Sequence, residues 1–317
     1  MCNYPLISVL IPTYNVSDWI EDAIMSILNQ TYSNIEIVII DDCSTDDTFE
    51  KLLSLSKKDD RITLLRNDVN LKITKTLNRG LDYVKGDYIA RFDGDDIATN
   101  DRIEKQFSYM IEKDLDLVGC QMIAIDQNGN VLRKGNSPVG EESIKTISNW
   151  ASPIAHIWLA KRSVYEKIGG YRDIPYAEDY DFILRALDRG FKCDNHIEHL
   201  MYIRHRTGNS ASMASLTQRK SHNYVLKLHR ERARLGGDCD SYDVAKMHNV
   251  LASSALGLKL HKLSSFFLFR ALQQNSKLKK IFYILFSSVT SIYNMQYLFR
   301  RSIVYIILRR NGKNNVK

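Results

Sequence analysis

Short apolar runs alternate with amphipathic stretches through the first hundred residues. Leu6-Ile7-Ser8-Val9-Leu10-Ile11-Pro12 reads as a central strand closed by a proline. From Ser17 to Gln30, Trp19, Ile20, Ala23, Ile24, Ile27 and Leu28 recur at helical spacing. Ile35 to Ile40 predicts a second strand that empties into Asp41-Asp42-Cys43-Ser44-Thr45-Asp46-Asp47. Asp46 is placed to cap the next helix, which carries Phe49, Leu52, Leu53 and Leu55. Ile62 to Leu65 and Tyr88 to Phe92 read as further strands, with a helix from Thr74 to Val84 between them. This alternation predicts an α/β fold with a mostly parallel sheet flanked by helices. Such sheets bind ligands beyond the carboxyl ends of their strands, where Thr13, Asp42, Asn67, Asp68 and Asp93 fall.

Between Asp101 and His205 the pattern is less regular. Arg102 to Ile111 reads as a helix and Leu117 to Ile125 as a strand, with Asp126-Gln127-Asn128-Gly129-Asn130 turning into Val131-Leu132. Ser163 to Ile168 and Tyr180 to Arg189 read as helices stopped by Gly169-Gly170 and Gly190. Beyond residue 214 the pattern turns helical, over 215–235, Val244 to Leu260 and Leu263 to Gln273. Ile281 to Phe299 then runs 19 residues without a formal charge, between Lys279-Lys280 and Arg300-Arg301. Its serines, Thr290, Asn294 and Gln296 make it a poor membrane span, and an interfacial helix fits its apolar spacing better.

Charge separates the same two regions. Residues 215–317 hold 19 Lys or Arg against 4 Asp or Glu, whereas residues 1–214 hold 25 against 33. A globular domain over 1–214 and a basic helical extension over 215–317 are therefore expected. The five cysteines are scattered without a CxxC pair, so neither a disulfide framework nor a thiolate metal site is indicated, and a reducing, cytoplasmic compartment is expected. The chain begins without a basic segment followed by an apolar run, so no signal peptide is expected.

The chemistry concentrates in Asp93-Gly94-Asp95-Asp96, three carboxylates following a strand. Like charges this close repel, and a divalent cation beside bound phosphates relieves the repulsion. An acidic surface turn is the plainer alternative. Glu178-Asp179 offers a second acidic pair, suited either to proton transfer or to capping the helix it precedes. Asp42, at a strand end, suits ligand contact or an ordinary Asx-turn, and His156 suits ligand contact or a hydrogen-bonded core position.

From about Leu6 to His205, these motifs in this order resemble the family 2 glycosyltransferases. The resemblance implies a GT-A nucleotide-diphospho-sugar transferase fold. It implies nucleotide contacts from Pro12-Thr13-Tyr14-Asn15 and from Asp42, the latter to uracil. Asn67 to Asn78 corresponds to an Asn-x-Gly segment whose first glycine place holds Val69 or Asn70, while Asn78-Arg79-Gly80 keeps the second. Asp68 and Lys75 fall there, near base or phosphates. Asp93-Gly94-Asp95 matches the DxD motif: Asp95, with Asp93, would bind Mn²⁺ or Mg²⁺, and Asp93 would reach ribose or metal. Ser152 to His156 and Ile168 to Tyr171 match a region under donor sugar and acceptor. Glu178-Asp179 resembles the ED motif, Asp179 being the base and Glu178 its neighbour in orienting the acceptor. Arg204-His205, with Ser210 and Ser212, looks like the family loop beside the diphosphate. There His205 and Arg206 would add charge, or His205 a metal ligand.

The expected activity is metal-dependent, inverting transfer of a hexose or N-acetylhexosamine from a UDP-sugar to a glycan hydroxyl. Capsule, O-antigen or exopolysaccharide synthesis is its expected setting. A non-catalytic nucleotide-sugar-binding or scaffold protein of a membrane-associated polysaccharide assembly is the rival. For the basic extension two readings stand. One is docking on the anionic inner face of the plasma membrane, where a lipid-linked acceptor is displayed. The other is a helical subdomain that buries its stripes on itself or on a second copy in a homo-oligomer. Nucleic acid is not an expected partner: no such motif occurs, and the acidic half would repel a phosphate backbone.

Overall fold

The computed structural model describes residues 4–206, 216–237 and 239–314. The expected boundary at 214, and Ser210 and Ser212, lie outside the described residues. In chain order the elements begin β1 (Ile7–Thr13), α1 (Ile20–Leu28), β2 (Ile35–Asp41), α2 (Thr48–Ser56), β3 (Ile62–Arg66), α3 (Lys72–Leu81) and β4 (Tyr88–Arg91). They continue with β5 (Ile97–Ala98), α4 (Arg102–Glu112), β6 (Leu117–Ile125), β7 (Val131–Lys134), α5 (Glu141–Ser148), β8 (Leu159–Lys161), α6 (Arg162–Ile168), α7 (Glu178–Asp188) and β9 (Cys193–Arg204). Five helices follow: α8 (Leu216–Leu235), α9 (Val244–Leu251), α10 (Ala255–Leu272), α11 (Lys277–Thr290) and α12 (Ile292–Asn314).

These elements gather into two compact units. The first comprises the chain up to Lys145, Ser152–Asp173 and Glu178 to the end of β9; the second comprises Thr146–Ala151, Ile174–Ala177 and the C-terminal helices. In the first unit, the described strands form one sheet in the order β3-β2-β1-β4-β8-β6-β9-β5, with β7 paired to β6. β1 through β4 run parallel, as the alternation predicts. The remainder corrects the expectation of a mostly parallel sheet. β8 runs antiparallel to β4 and β6, β5 antiparallel to β9, and β7 antiparallel to β6, while β6 and β9 are parallel. The sheet is mixed because β8 returns between β4 and β6, strands distant in the chain, and runs against both, while a short connection reverses the chain between β6 and β7.

Both faces of the parallel half are covered. Every residue of β1 is buried: Val9 and Ile11 face one core with Ile20, Ile24 and Phe92, and Leu10 faces the other with Val38, Ile40 and Trp158. Helix α3 lies so close to this second face that a Cβ at Gly80 would stand 2.4 Å from Leu10 and 2.5 Å from Ile40. That approach is the physical reason for glycine in Asn78-Arg79-Gly80.

In the second unit, the apolar segment from Ile281 to Phe299 is not one helix. Ser291 is extended (φ −150°) and separates α11 from α12. The run Ser287-Ser288-Val289-Thr290-Ser291 is poor in helix formers, and Thr290 turns its hydroxyl back onto the Phe286 carbonyl. Conversely α10 continues unbroken through Leu260 to Leu263. Among the described residues, no helix is long and apolar enough to cross a membrane.

Candidate active site

The parallel strands deliver their last residues to one edge. Asp42 N–H donates to the Thr13 carbonyl and Asn67 N–H to that of Asp41, 2.8 Å each, so the loops after β1, β2 and β3 are stitched together. Asn15, in the left-handed region (φ 50°), accepts from Thr45 N–H through Oδ1 at 2.9 Å and donates its own N–H to Ser44 Oγ at 3.1 Å. Pro12 and Thr13 are buried beneath this turn, and Tyr14 is exposed. The cap position of α2 is Asp47 rather than Asp46; Asp46, one residue earlier, accepts from Thr48 N–H and from Ser17 N–H, both at 3.1 Å.

Asp42 is buried and fully engaged. Its Oδ1 accepts from Asn67 Nδ2 and Leu71 N–H, 2.7 Å each, and its Oδ2 accepts from Lys72 N–H at 2.9 Å. The carboxylate thus anchors the start of α3. Asp68 and Lys75 are exposed, and the Asp68 carbonyl receives Cys43 Sγ. The left-handed residue of this segment is Lys72 (φ 69°), not Val69 or Asn70, a conformation that glycine takes without strain.

The acidic loop follows β4. Gly94 is required here, because a Cβ would stand 2.8 Å from Thr13 Cγ2 and 3.1 Å from Ile20. Asp93 pairs with the buried Arg91 and with His156, whose Nε2 is 3.1 Å from Asp93 Oδ2. Asp96, only 2% exposed, accepts Arg204 N–H through Oδ1 at 2.9 Å. Its Oδ2 has no hydrogen-bond partner; His156 Nε2, at 3.9 Å, is too distant for one. Asp93, Asp96 and His156 offer ligand atoms all within 4.8 Å of one another. Asp95 instead accepts from Arg206 Nε at 2.7 Å, and the Arg206 guanidinium lies 5.1 Å from the Trp19 ring centroid. His205 donates its backbone N–H to Ile125, and burial followed by the Arg133 charge lowers its imidazole pKa. The structure therefore groups Asp93 with Asp96 and His156, and sets Asp95 with Arg206.

Electrostatics follow from this packing. Burial opposes ionisation of Asp93, but Arg91 and His156 outweigh it and hold the carboxyl well below the usual range. Burial, and then the charges of Asp95 and Asp93 against the opposing His156 contact, pushes Asp96 up to about 7. Burial and the Asp93 charge also raise Asp95, against Arg206. His156 is pulled down by burial, yet its contacts with Asp93 and Asp96 lift it well above an ordinary imidazole. Behind the loop, the fully buried Arg102 donates through Nη2 to the Arg91 carbonyl at 2.7 Å and to Ile157 at 3.2 Å, tying β4 to the segment that carries His156.

Glu178 and Asp179 open α7. Asp179 is half-buried and accepts Tyr180 N–H through Oδ1 at 2.7 Å. Dense packing around Glu178, then the adjacent Asp179 charge, pushes its pKa up to about 8; Arg91 and His156 act on it in the opposite sense. That shared field links the second acidic pair to the first. Sequence reasoning missed Arg91 and Arg102. For Arg91 the available signal was a cation inside the apolar strand Tyr88 to Phe92, which needs a buried counter-charge; Arg102 reads from sequence as an ordinary first-turn helix residue.

Residues 8–169 match the glycosyl transferase family 2 model. The chain is a family 2 glycosyltransferase. An uncharacterized glycosyltransferase of Haemophilus influenzae is 34% identical over 200 residues, which cover 57% of this chain and 60% of that relative's length. The O-antigen biosynthesis glycosyltransferase WbnJ of Escherichia coli is 32% identical over 205 residues, covering 63% of this chain and 79% of its own. The fold is shared with S. aureus TarS residues 1–349, crystallised with UDP-GlcNAc. The TM-score is 0.60 at 18% identity, over 96% of this family 2 chain and 92% of that one.

Proposed function

We propose that this chain, on a GT-A fold, moves a hexose or N-acetylhexosamine from a UDP-sugar to a hydroxyl of a glycan acceptor, with inversion, in bacterial surface-polysaccharide synthesis. The observation that carries the reading is the convergence of Asp93, Asp96 and His156 at the carboxyl edge of the parallel strands, within the field of Glu178. The WbnJ likeness supports the polysaccharide setting, and the UDP-GlcNAc complex of the TarS fold supports the donor class.

A divalent cation fits the donor set. Asp96 Oδ2 is buried without a partner, and two carboxylates with one imidazole suit Mn²⁺ better than Mg²⁺. Asp93, Asp96 and His156 would hold it, with Asp95 and His205 as the further ligands the family motif implies. Bound, it would neutralise the leaving diphosphate as a Lewis acid. Arg206 and His205 add charge to the same loop, and Gly94 keeps it against Pro12-Thr13-Tyr14-Asn15. Asp42 and Asp68 would meet the base, and Lys75 the phosphates. Asp179 accepts the proton of the attacking hydroxyl, and Glu178, protonated at neutral pH, orients the acceptor by donating a hydrogen bond. One displacement by that hydroxyl inverts the anomeric centre. In this reading residues 1–214 perform catalysis, and residues 215–317 bring the enzyme to the inner face of the membrane that displays a lipid-linked acceptor.

The test is UDP release from UDP-glucose, UDP-galactose, UDP-N-acetylglucosamine and UDP-N-acetylgalactosamine with Mn²⁺, with and without a glycan acceptor pool. One donor should be consumed, faster with acceptor. Asp179→Asn should lower kcat by about 10²-fold or more with UDP binding retained, and Asp95→Ala should weaken metal-dependent UDP binding. UDP binding without release in any mixture would favour the scaffold rival.

A further inference from the structure

The three C-terminal helices are built inside out. Water-soluble helices bury an apolar stripe and expose polar residues. In α10–α12 the buried side chains are His261, Ser264, Ser287 and Asn294, joined by Ser291 at the break and by Ala271 as the apolar exception among the described side chains. They bond to one another. Asn294 Nδ2 donates to Ser264 Oγ at 2.9 Å, Ser264 Oγ donates to the Ser287 carbonyl at 2.7 Å, and His261 Nδ1 lies 2.9 Å from Ser291 Oγ. Facing outward are Phe266, Phe269, Phe282, Leu285, Val289 and Phe299, from 50% to 87% exposed. Phe267 packs beside this polar core against Tyr283 and Phe286, with ring centroids 6.0 and 4.5 Å apart. A hydrogen-bonded interior with an apolar surround suits helices whose surroundings are lipid, where interhelical polar contacts add to packing.

Charge selects the occupant. From residue 244 to 317 the chain has 13 Lys or Arg and not one Asp or Glu. A second copy on the same face would set cations against cations with no acid to answer them. A surface of anionic headgroups over acyl chains answers both the charge and the exposed rings. The helices are too short or too polar to cross it. We infer that α10–α12 seat in the headgroup layer of an anionic bilayer, with their exposed Phe and Leu side chains at the acyl boundary and their Ser, His and Asn network as the core. The inference rests on the transferase reading above and names the surface and the helices through which that enzyme would meet its acceptor.

The experiment is flotation of the full-length protein with neutral phosphatidylcholine vesicles and with vesicles containing about 30% phosphatidylglycerol. The anionic vesicles should carry roughly 10-fold more protein than the neutral ones. Phe282→Gln with Leu285→Gln should cut that binding about 10-fold, and Lys279→Gln with Lys280→Gln should weaken it and its salt dependence. Circular dichroism melts confirm that the variants are folded, and UDP release by each variant in detergent-free buffer should match wild type. Three results would overturn the inference. These are no flotation by folded wild type, undiminished flotation by the Phe282/Leu285 variant, or a concentration-dependent oligomer or a complex with an acidic protein that this variant abolishes. Because UDP release is read on the same samples, loss of the transferase reading and loss of the membrane reading are separately visible.

Discussion

Lys72 holds a left-handed backbone (φ 69°) at the first position of α3 because its N–H, with that of Leu71, is fixed on the Asp42 carboxylate. A side chain with a Cβ is strained there by about 1–2 kcal/mol, and glycine is not. Lys72→Gly should therefore stabilise the chain by about 1 kcal/mol, read from the urea midpoint; a lower midpoint would mean that the side chain contributes more than its strain costs. Glu178 makes a residue-scale prediction with a definite sign. Its folded pKa, about 8, stands above the ordinary value of 4.5, so its contribution to stability is full below pH 4.5 and is lost as pH rises toward 8. Glu178→Gln should leave the melting temperature unchanged near pH 4. At pH 9 it should gain about 1–2 kcal/mol, reduced from full linkage because Glu178 is only half-buried. Melts across that range would show the two curves diverging upward, and parallel curves would refute the assignment.

At the scale of elements, α7 carries a buried ion pair within itself, and one member of that pair ties the helix to its surroundings. Asp181 and Arg185, one turn apart and at most 2% exposed, meet at 2.7 Å. Arg185 also donates to the Ile168 and Gly170 carbonyls, fixing the end of α6. Removing one partner strands the other in the core. Arg185→Met should cost about 3–5 kcal/mol, while Asp181→Leu with Arg185→Met should recover a substantial part of that loss, measured by denaturant unfolding. A double variant no better than the single one would show that the carbonyl contacts, not the charge pairing, carry the stability. The sequence showed this helix through Phe182, Ile183, Ala186 and Leu187, but not the pair within it, because Asp181 and Arg185 read equally well as a solvated i,i+4 bridge. The break at Ser291 escaped notice for a similar reason: apolar spacing passes through it, and only weak local propensity marks it.

For the whole molecule, the first unit has an apolar interior whereas the most deeply buried side chains of α10–α12 are mainly polar, and that contrast underlies the expected flotation on anionic vesicles. The sequence by itself determined the parallel βα alternation up to residue 92, the acidic loop after β4 and the concentration of basic charge beyond residue 214. Each of these is written in neighbouring residues: a period of two or 3.6, three carboxylates in four positions, a run without acids. Tertiary structure alone decided the antiparallel half of the sheet, since strand direction depends on which distant segments pair. It alone brought His156 to Asp93 and Asp96 across some sixty residues, and put Arg206 on Asp95. It also decided which face of α10–α12 lies inside. A stripe of serines and a stripe of phenylalanines have the same helical period, so only packing determines which of them turns inward.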